Sequence, residues 1–120
     1  MQKINGIGGV FIVAQDPEKL GEWYQKHLGV PLPPASYDDP EWMPEQGPTV
    51  FAFMSADSEH FNGSGKTWAL NFRVDDLEAM IAQLADSGIE VKRDSEEYPN
   101  GTFASLVDPE GNLVQLWQPR

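Results

Sequence analysis

Side chains able to carry chemistry are sparse in this sequence of 120 residues, and their types narrow the options at once. There are two histidines, His27 and His60, and no cysteine, so thiolate zinc sites, iron–sulfur clusters, disulfides and a cysteine nucleophile are excluded. His27 falls in the last turn of an expected helix, where an imidazolium faces the negative end of the helix dipole. His60 lies in a polar stretch beside Asp57 and Glu59, a surface setting that could also edge a cavity. No serine stands in a Gly-x-Ser-x-Gly context, so an acyl-transfer triad has no support. Gly6, Gly8 and Gly9 run into a strand instead of opening a helix, and build no phosphate loop. What remains is a set of polar side chains at strand positions, Asn71, Arg73 and Gln115, with Phe11, Phe51, Phe53 and Trp117 at comparable ones.

Eight Lys and Arg against 19 Asp and Glu give a formal charge of −11 and a pI near 4.3. A nucleic-acid binder needs a basic stripe along the phosphates, whereas these cations are scattered and Lys92-Arg93 is their only adjacent pair. The same repulsion disfavours anionic membranes, and the apolar runs are too short to span one. With no basic segment leading into an apolar one at the N-terminus, the expectation is a cytoplasmic protein without nucleic-acid or membrane partners. Apolar residues make up 40% of the sequence, with six Phe, four Trp and three Tyr, which suits a packed domain held together by burial alone.

Two helices must position these side chains. The first is expected over Pro17 to Leu28, with Asp16 as N-cap, Pro17 in the first position, a stripe of Leu20, Trp23, Tyr24 and Leu28, and Gly29 as its left-handed terminator. The second repeats that grammar from Asp75-Asp76 through Leu77, Met80, Ile81 and Leu84 to Gly88, with Ile89 packing back on the cap. A strand-like segment precedes each helix, Ile7 to Ala14 and Trp68 to Val74. Asp16 aligns with Asp76 at an offset of 60, half the sequence, which superposes Gly9 on Ala69 and Leu20 on Met80. After the second helix, Glu90 to Arg93, Thr102 to Val107 and Leu113 to Gln118 are separated by the turns Tyr98-Pro-Asn-Gly101 and Asp108-Pro-Glu-Gly-Asn112 and read as an antiparallel meander. Six of the ten prolines lie between Pro31 and Pro48, so a rigid loop replaces regular structure there. The expected organisation is a single domain of module 1 (4–55), a connector (56–66) and module 2 (67–119).

These features resemble the vicinal oxygen chelate superfamily, the glyoxalase, bleomycin resistance protein and extradiol dioxygenase group. The resemblance runs from Gly-Ile-Gly-Gly-Val-Phe through Asp16-Pro17, Trp23-Tyr24 and Leu28-Gly29-Val30. In the second half it is carried by Asn71-Phe-Arg-Val-Asp-Asp-Leu77, Gly88-Ile-Glu-Val91 and Asp108-Pro-Glu-Gly-Asn-Leu-Val-Gln-Leu-Trp117. It implies an α+β fold in which two β-α-β-β-β modules form curved mixed sheets around a cavity, and a homodimer. Family enzymes hold a divalent metal at positions that fall here on Gly9, Phe51, Ala69 and Gln115. One neutral amide cannot offset the dehydration of such an ion, so no metal and no cofactor are expected.

Strand alternation puts Leu70, Phe72 and Val74 toward the helices and Asn71 and Arg73 on the opposite, concave side, with Phe11 as their counterpart in the first half. Val114 and Leu116 then lie under the helix while Gln115 and Trp117 face inward. The candidate ligand-binding set is therefore Phe11, Phe51, Phe53, Asn71, Arg73, Gln115 and Trp117, apolar walls with a few polar anchors. An inward guanidinium requires an anionic partner, a carboxylate of this acidic protein or of a ligand. Trp42 and Tyr37, among Asp38, Asp39, Glu41 and Glu45, form either an acidic aromatic lid or a solvated loop. The leading expectation is a metal-independent, non-enzymatic small-molecule binder taking a cationic or aromatic ligand. Its rivals are a metal-dependent lyase, isomerase or dioxygenase using Gln115, His60 or a loop acid, and a module serving dimerisation alone.

Overall fold

Helix α1 (Pro17–Leu28) begins where the Asp16 carboxylate accepts the Lys19 N–H at 3.1 Å and ends where Gly29 turns left-handed at φ 71°. The Gly29 N–H is donated to the Gln25 carbonyl and the Val30 N–H to that of Tyr24, which satisfies the last turn. Helix α2 (Leu77–Asp86) uses the same devices. Asp76 accepts from Ala79 N–H, Gly88 sits at φ 76°, and Ile89 N–H reaches back to the Leu84 carbonyl. The Leu77 N–H, which would otherwise be left without a partner, goes to the side-chain oxygen of Gln118 at 2.8 Å. Both helices lie where the spacing of their apolar residues puts them.

The computed structural model describes residues 1–120. Strands β1 (Leu70–Arg73), β2 (Lys92–Arg93), β3 (Gly101–Val107) and β4 (Leu113–Pro119) form one mixed sheet of order β1-β4-β3-β2. β1 runs parallel to β4 with Asn71 opposite Gln115 and Arg73 opposite Trp117, and β2, β3 and β4 are the antiparallel meander. A parallel pair needs a long crossover, and α2 with the meander supplies it. Leu20 and Tyr24 of α1 join Leu77 and Leu84 of α2 and Ala104, Leu106, Val114 and Leu116 of the sheet in one core. Each of these large side chains, moved from water into the core, contributes about 1.5–3 kcal/mol.

The fold is thus α+β with an open curved mixed sheet, and its second half is a complete β-α-β-β-β unit. In the first half only α1 forms. The segments expected as strands, Ile7 to Ala14 and the run through Phe51 and Phe53, have no ladder, and no backbone–backbone hydrogen bond engages residues 2–14 or 40–54. The four strands of the second half pair only with one another, so β1 and β2 are the sheet's edges and neither first-half segment is hydrogen-bonded to them. Val10, Phe11, Val13, Val50, Phe51 and Phe53 consequently stay exposed. The protein presents 9724 Å² to solvent, against about 6,500 Å² for a compact monomer of its mass. Its radius of gyration, 15.4 Å, likewise exceeds the roughly 13.6 Å of a compact domain of this length.

Candidate functional site

The face of the sheet turned away from the helices carries an open groove of about 740 Å³. Its floor is set by alternation: Phe103, Ser105 and Val107 from β3, Leu113 and Gln115 from β4, and Ala69 just before β1. Glu90, Lys92 and Asp94 form one wall along β2, and Met54, His60 and Phe61 form the opposite lip. His60 belongs to a single 3-10 turn, Glu59–Phe61, capped by the Ser58 hydroxyl.

Three aromatics give one end of the groove a rigid corner. Phe103 stacks on Trp117 with ring centres 5.9 Å apart and planes 4° from parallel, and Tyr98 meets Phe103 edge-on at 5.8 Å. Trp117 is the buried layer behind, held by its indole N–H on the Asn100 carbonyl at 2.9 Å. Tyr98 donates to Asp94 at 3.2 Å, and partial burial followed by the Asp94 and Glu96 carboxylates raises its phenol above the ordinary tyrosine value. It remains a neutral hydrogen-bond donor at physiological pH. Beside this corner the Asn71 amide donates to the Gln115 side-chain oxygen at 2.8 Å, a pair set by the β1–β4 register. A flat group can lie on Phe103 with polar amides at its edge.

Of the seven residues singled out by strand patterning, Gln115 lines the groove and Asn71 is bonded to it. Trp117 lies on the expected face but behind Phe103. Phe51 and Phe53 touch each other at 5.3 Å between ring centres, and with Phe11 they project into solvent, away from the groove.

Arg73 departs from expectation in a different way. Its guanidinium meets no carboxylate; it donates to the Pro48 carbonyl at 2.6 Å, the Thr49 hydroxyl at 3.2 Å and the Glu45 carbonyl at 2.7 Å. The five donors of a guanidinium can be satisfied by neutral oxygens that one irregular segment presents together, as residues 45–49 do here. Of the two readings of the Pro-rich loop, the solvated loop is the one these positions match, since Tyr37 is fully exposed and no residue of 31–48 lines the groove. Conversely, the patterning passes over Phe103, Ser105 and Tyr98. A signal for them is present in the β3 alternation of Phe103, Ser105 and Val107 against Ala104 and Leu106.

The Asp108-Pro-Glu-Gly-Asn motif is a clamp between the halves. The buried Asp108 carboxylate accepts from Glu110 N–H, Asn112 N–H, the Asn112 amide and, at 2.7 Å, the hydroxyl of Tyr24 on α1. Burial first, then that hydrogen bond and the carboxylate charge, hold the Tyr24 phenol far above its ordinary value. Glu110 adds a second tie, its two oxygens accepting from Gln15 and Asp16 N–H ahead of α1. Lys66 closes the clamp on Asn112 at 3.3 Å.

The sequence profile of the glyoxalase-like domain family matches residues 9–117. The chain belongs to that family and so to the vicinal oxygen chelate superfamily. Solved structures similar to it include TnmS3, an antibiotic binding protein from Streptomyces sp. CB03234, at 36% identity, with 43% of this chain and 42% of that one covered and a TM-score of 0.40. A bleomycin-binding protein complexed with bleomycin is similar at 29% identity over 47% of this chain and 54% of that one, TM-score 0.41. A glyoxalase family protein from Bacillus anthracis follows at 24% identity, over 44% and 43%, TM-score 0.40. The chain thus spans about half or less of the length of these structures. No curated protein matches the sequence.

Glyoxalase-like enzymes of this superfamily use a divalent metal, and the donors here do not fit one. Gly9, Phe51 and Ala69 offer no side-chain ligand, and the Gln115 oxygen is engaged by Asn71. Nowhere in the protein do three His, Asp or Glu side chains converge at metal-binding distance. His60, Glu90 and Asp94 all line the groove but do not gather into such a cluster.

Proposed function

We propose that this glyoxalase-like domain is a metal-independent binding protein for a small, planar, cationic organic ligand. The observation that carries the reading is the aromatic corner of the 740 Å³ groove, where the Phe103 face is backed by the stacked Trp117 and flanked by Tyr98. Burying a flat ring there removes apolar surface from water without ordering new side chains, since Trp117 and Tyr98 are already fixed by hydrogen bonds. Glu90 and Asp94 give that wall a negative balance against Lys92, and the net charge of −11 draws cations toward it. The Asn71–Gln115 pair supplies orienting polar groups at the floor.

The functional unit is a homodimer. Each protomer presents about 3,200 Å² more than a compact monomer, so a pair that buried half of that excess would remove about 3,200 Å² in total, within the range of obligate pairs. The exposed apolar segments around Phe11 and Phe51–Phe53 have free backbone groups to offer a second copy. In the pair, these phenylalanines become walls of the partner-completed cavity, restoring the first-module half of the site.

Thermal-shift measurements on protein treated with a chelator test this reading. Cationic planar aromatics such as the acridine dye proflavine raise Tm, and uncharged aliphatic compounds of similar size do not. No stabilisation by any cationic aromatic, or stabilisation only after a divalent metal is restored, overturns it in favour of a metal-dependent site.

A further inference from the structure

We propose that Asn62 is a site of spontaneous deamidation, at the lip of the groove. The sequence has three Asn-Gly steps, at Asn5, Asn62 and Asn100, and glycine leaves the following amide nitrogen unshielded by a Cβ. The fold treats the last two in opposite ways. Gly101 is buried and donates its N–H to the Tyr98 carbonyl at 3.0 Å. A Cβ built on it would lie 2.2 Å from the Gln118 carbonyl oxygen, so the backbone there has no room to rotate. Asn62 and Gly63 are both exposed, and the Gly63 N–H donates to no other group of the protein. No atom lies within 4 Å of the Gly63 Cβ position. Two bonds from Ser64 to the Phe61 carbonyl span the step, from its N–H at 3.1 Å and its hydroxyl at 2.7 Å, and their opening frees rotation about the Asn62–Gly63 backbone.

The chemistry needs only water. The Gly63 nitrogen loses its proton to hydroxide and attacks Cγ of Asn62, forming a new C–N bond. The original carboxamide C–N bond of Asn62 breaks and its nitrogen leaves as ammonia, taking a proton from water and regenerating hydroxide. The resulting cyclic imide adds water at either carbonyl, and one ring C–N bond breaks to leave an aspartyl or isoaspartyl residue at position 62. Nothing is oxidised or reduced. Because Asn62 directly follows His60 and Phe61, the new carboxylate sits beside two lining residues of the groove and makes its lip more negative with age. The isoaspartyl product also inserts a methylene into the backbone there.

Incubating the intact folded protein at mildly alkaline pH, followed by proteolysis and mass spectrometry, reads the conversion site by site. The expected result is amide-to-acid exchange at Asn62 at least tenfold faster than at Asn100, with isoaspartate detected at position 62. In urea the two sites convert at similar rates, and Asn62→Gln removes the position-62 product from the folded protein. Conversion at Asn62 no faster than at Asn100 in the folded protein overturns the proposal.

Discussion

Arg73 and Gly47 are in direct contact: a Cβ on Gly47 would lie 2.7 Å from the Arg73 Nε. The guanidinium fills the space that a side chain at 47 would take, and from there reaches Glu45, Pro48 and Thr49. One strand residue of the second half thereby fixes where the first half returns toward Phe51. Arg73→Ala and Gly47→Ala are expected to have the same effect, loosening residues 45–49 so that limited proteolysis cuts there. Each lowers stability by about 1 kcal/mol, the scale of a partly exposed charged hydrogen-bond set. The double variant is no worse than either single one, since both break one contact.

The Asp108 clamp sets a larger effect. Asp108→Ala strands the Tyr24 hydroxyl, the Asn112 amide and two backbone N–H groups in the interior, so urea unfolding is expected to show a loss of about 3 kcal/mol. Tyr24→Phe removes one donor and leaves Asp108 its other three, and costs about 1 kcal/mol. Equal losses from the two variants would contradict the assignment of Asp108 as the hub.

The same pair gives an alkaline pH dependence with a defined sign. The unfolded protein releases the Tyr24 proton near pH 10 whereas the folded protein keeps it, so above that pH the folded state binds more protons. Stability then falls with rising pH by about 1.4 kcal/mol per unit for this one group. Below pH 10 its contribution is fully present. Stability measured between pH 9 and 11 is expected to decline less steeply in Tyr24→Phe, the residual slope coming in part from Tyr98, whose phenol is also raised.

Gly101 is constrained by both shape and backbone. At φ 135° with the Gln118 carbonyl oxygen 2.2 Å and the Trp117 indole nitrogen 2.7 Å from its Cβ position, Gly101→Ala must push β3 and β4 apart. A loss of at least about 2 kcal/mol is expected, together with a change in tryptophan fluorescence as Trp117 is displaced.

Much of this is legible in the sequence because the signals are local. Asp16, Gly29, Asp76 and Gly88 delimit the helices through contacts within a few residues, and period-two alternation places Asn71 and Gln115 on one face. The site is less legible wherever it depends on non-local partners. Arg73 reads as needing a negative charge because nothing in its own strand reveals that a segment 25 to 28 residues earlier offers two carbonyls. Phe11, Phe51 and Phe53 read as walls of a cavity on the strength of an internal repeat, but a repeat cannot say whether the surface they complete lies in the same molecule. Phe103 escapes notice because the repeat directs attention to the first and last strands of each module. The β3 alternation gives its face, and the register that sets it opposite Trp117 gives its stacking partner.

Light scattering addresses the pairing of protomers. The account predicts twice the 13.4 kDa protomer mass at micromolar concentration, and dissociation when Phe51 and Phe53 are both changed to Asp. A wild-type monomer under those conditions would leave the exposed segments without the proposed partner.

On the proposed function, the groove binds a cationic planar ligand without a metal. Calorimetric titration of proflavine into metal-depleted protein, beside the Phe103→Ala variant, tests it most directly. The account predicts one saturable site per protomer in the wild type, unchanged by added zinc, nickel or manganese, and at least tenfold weaker in the variant. Binding that is absent until a divalent ion is added, or that is equally strong in Phe103→Ala, would contradict it.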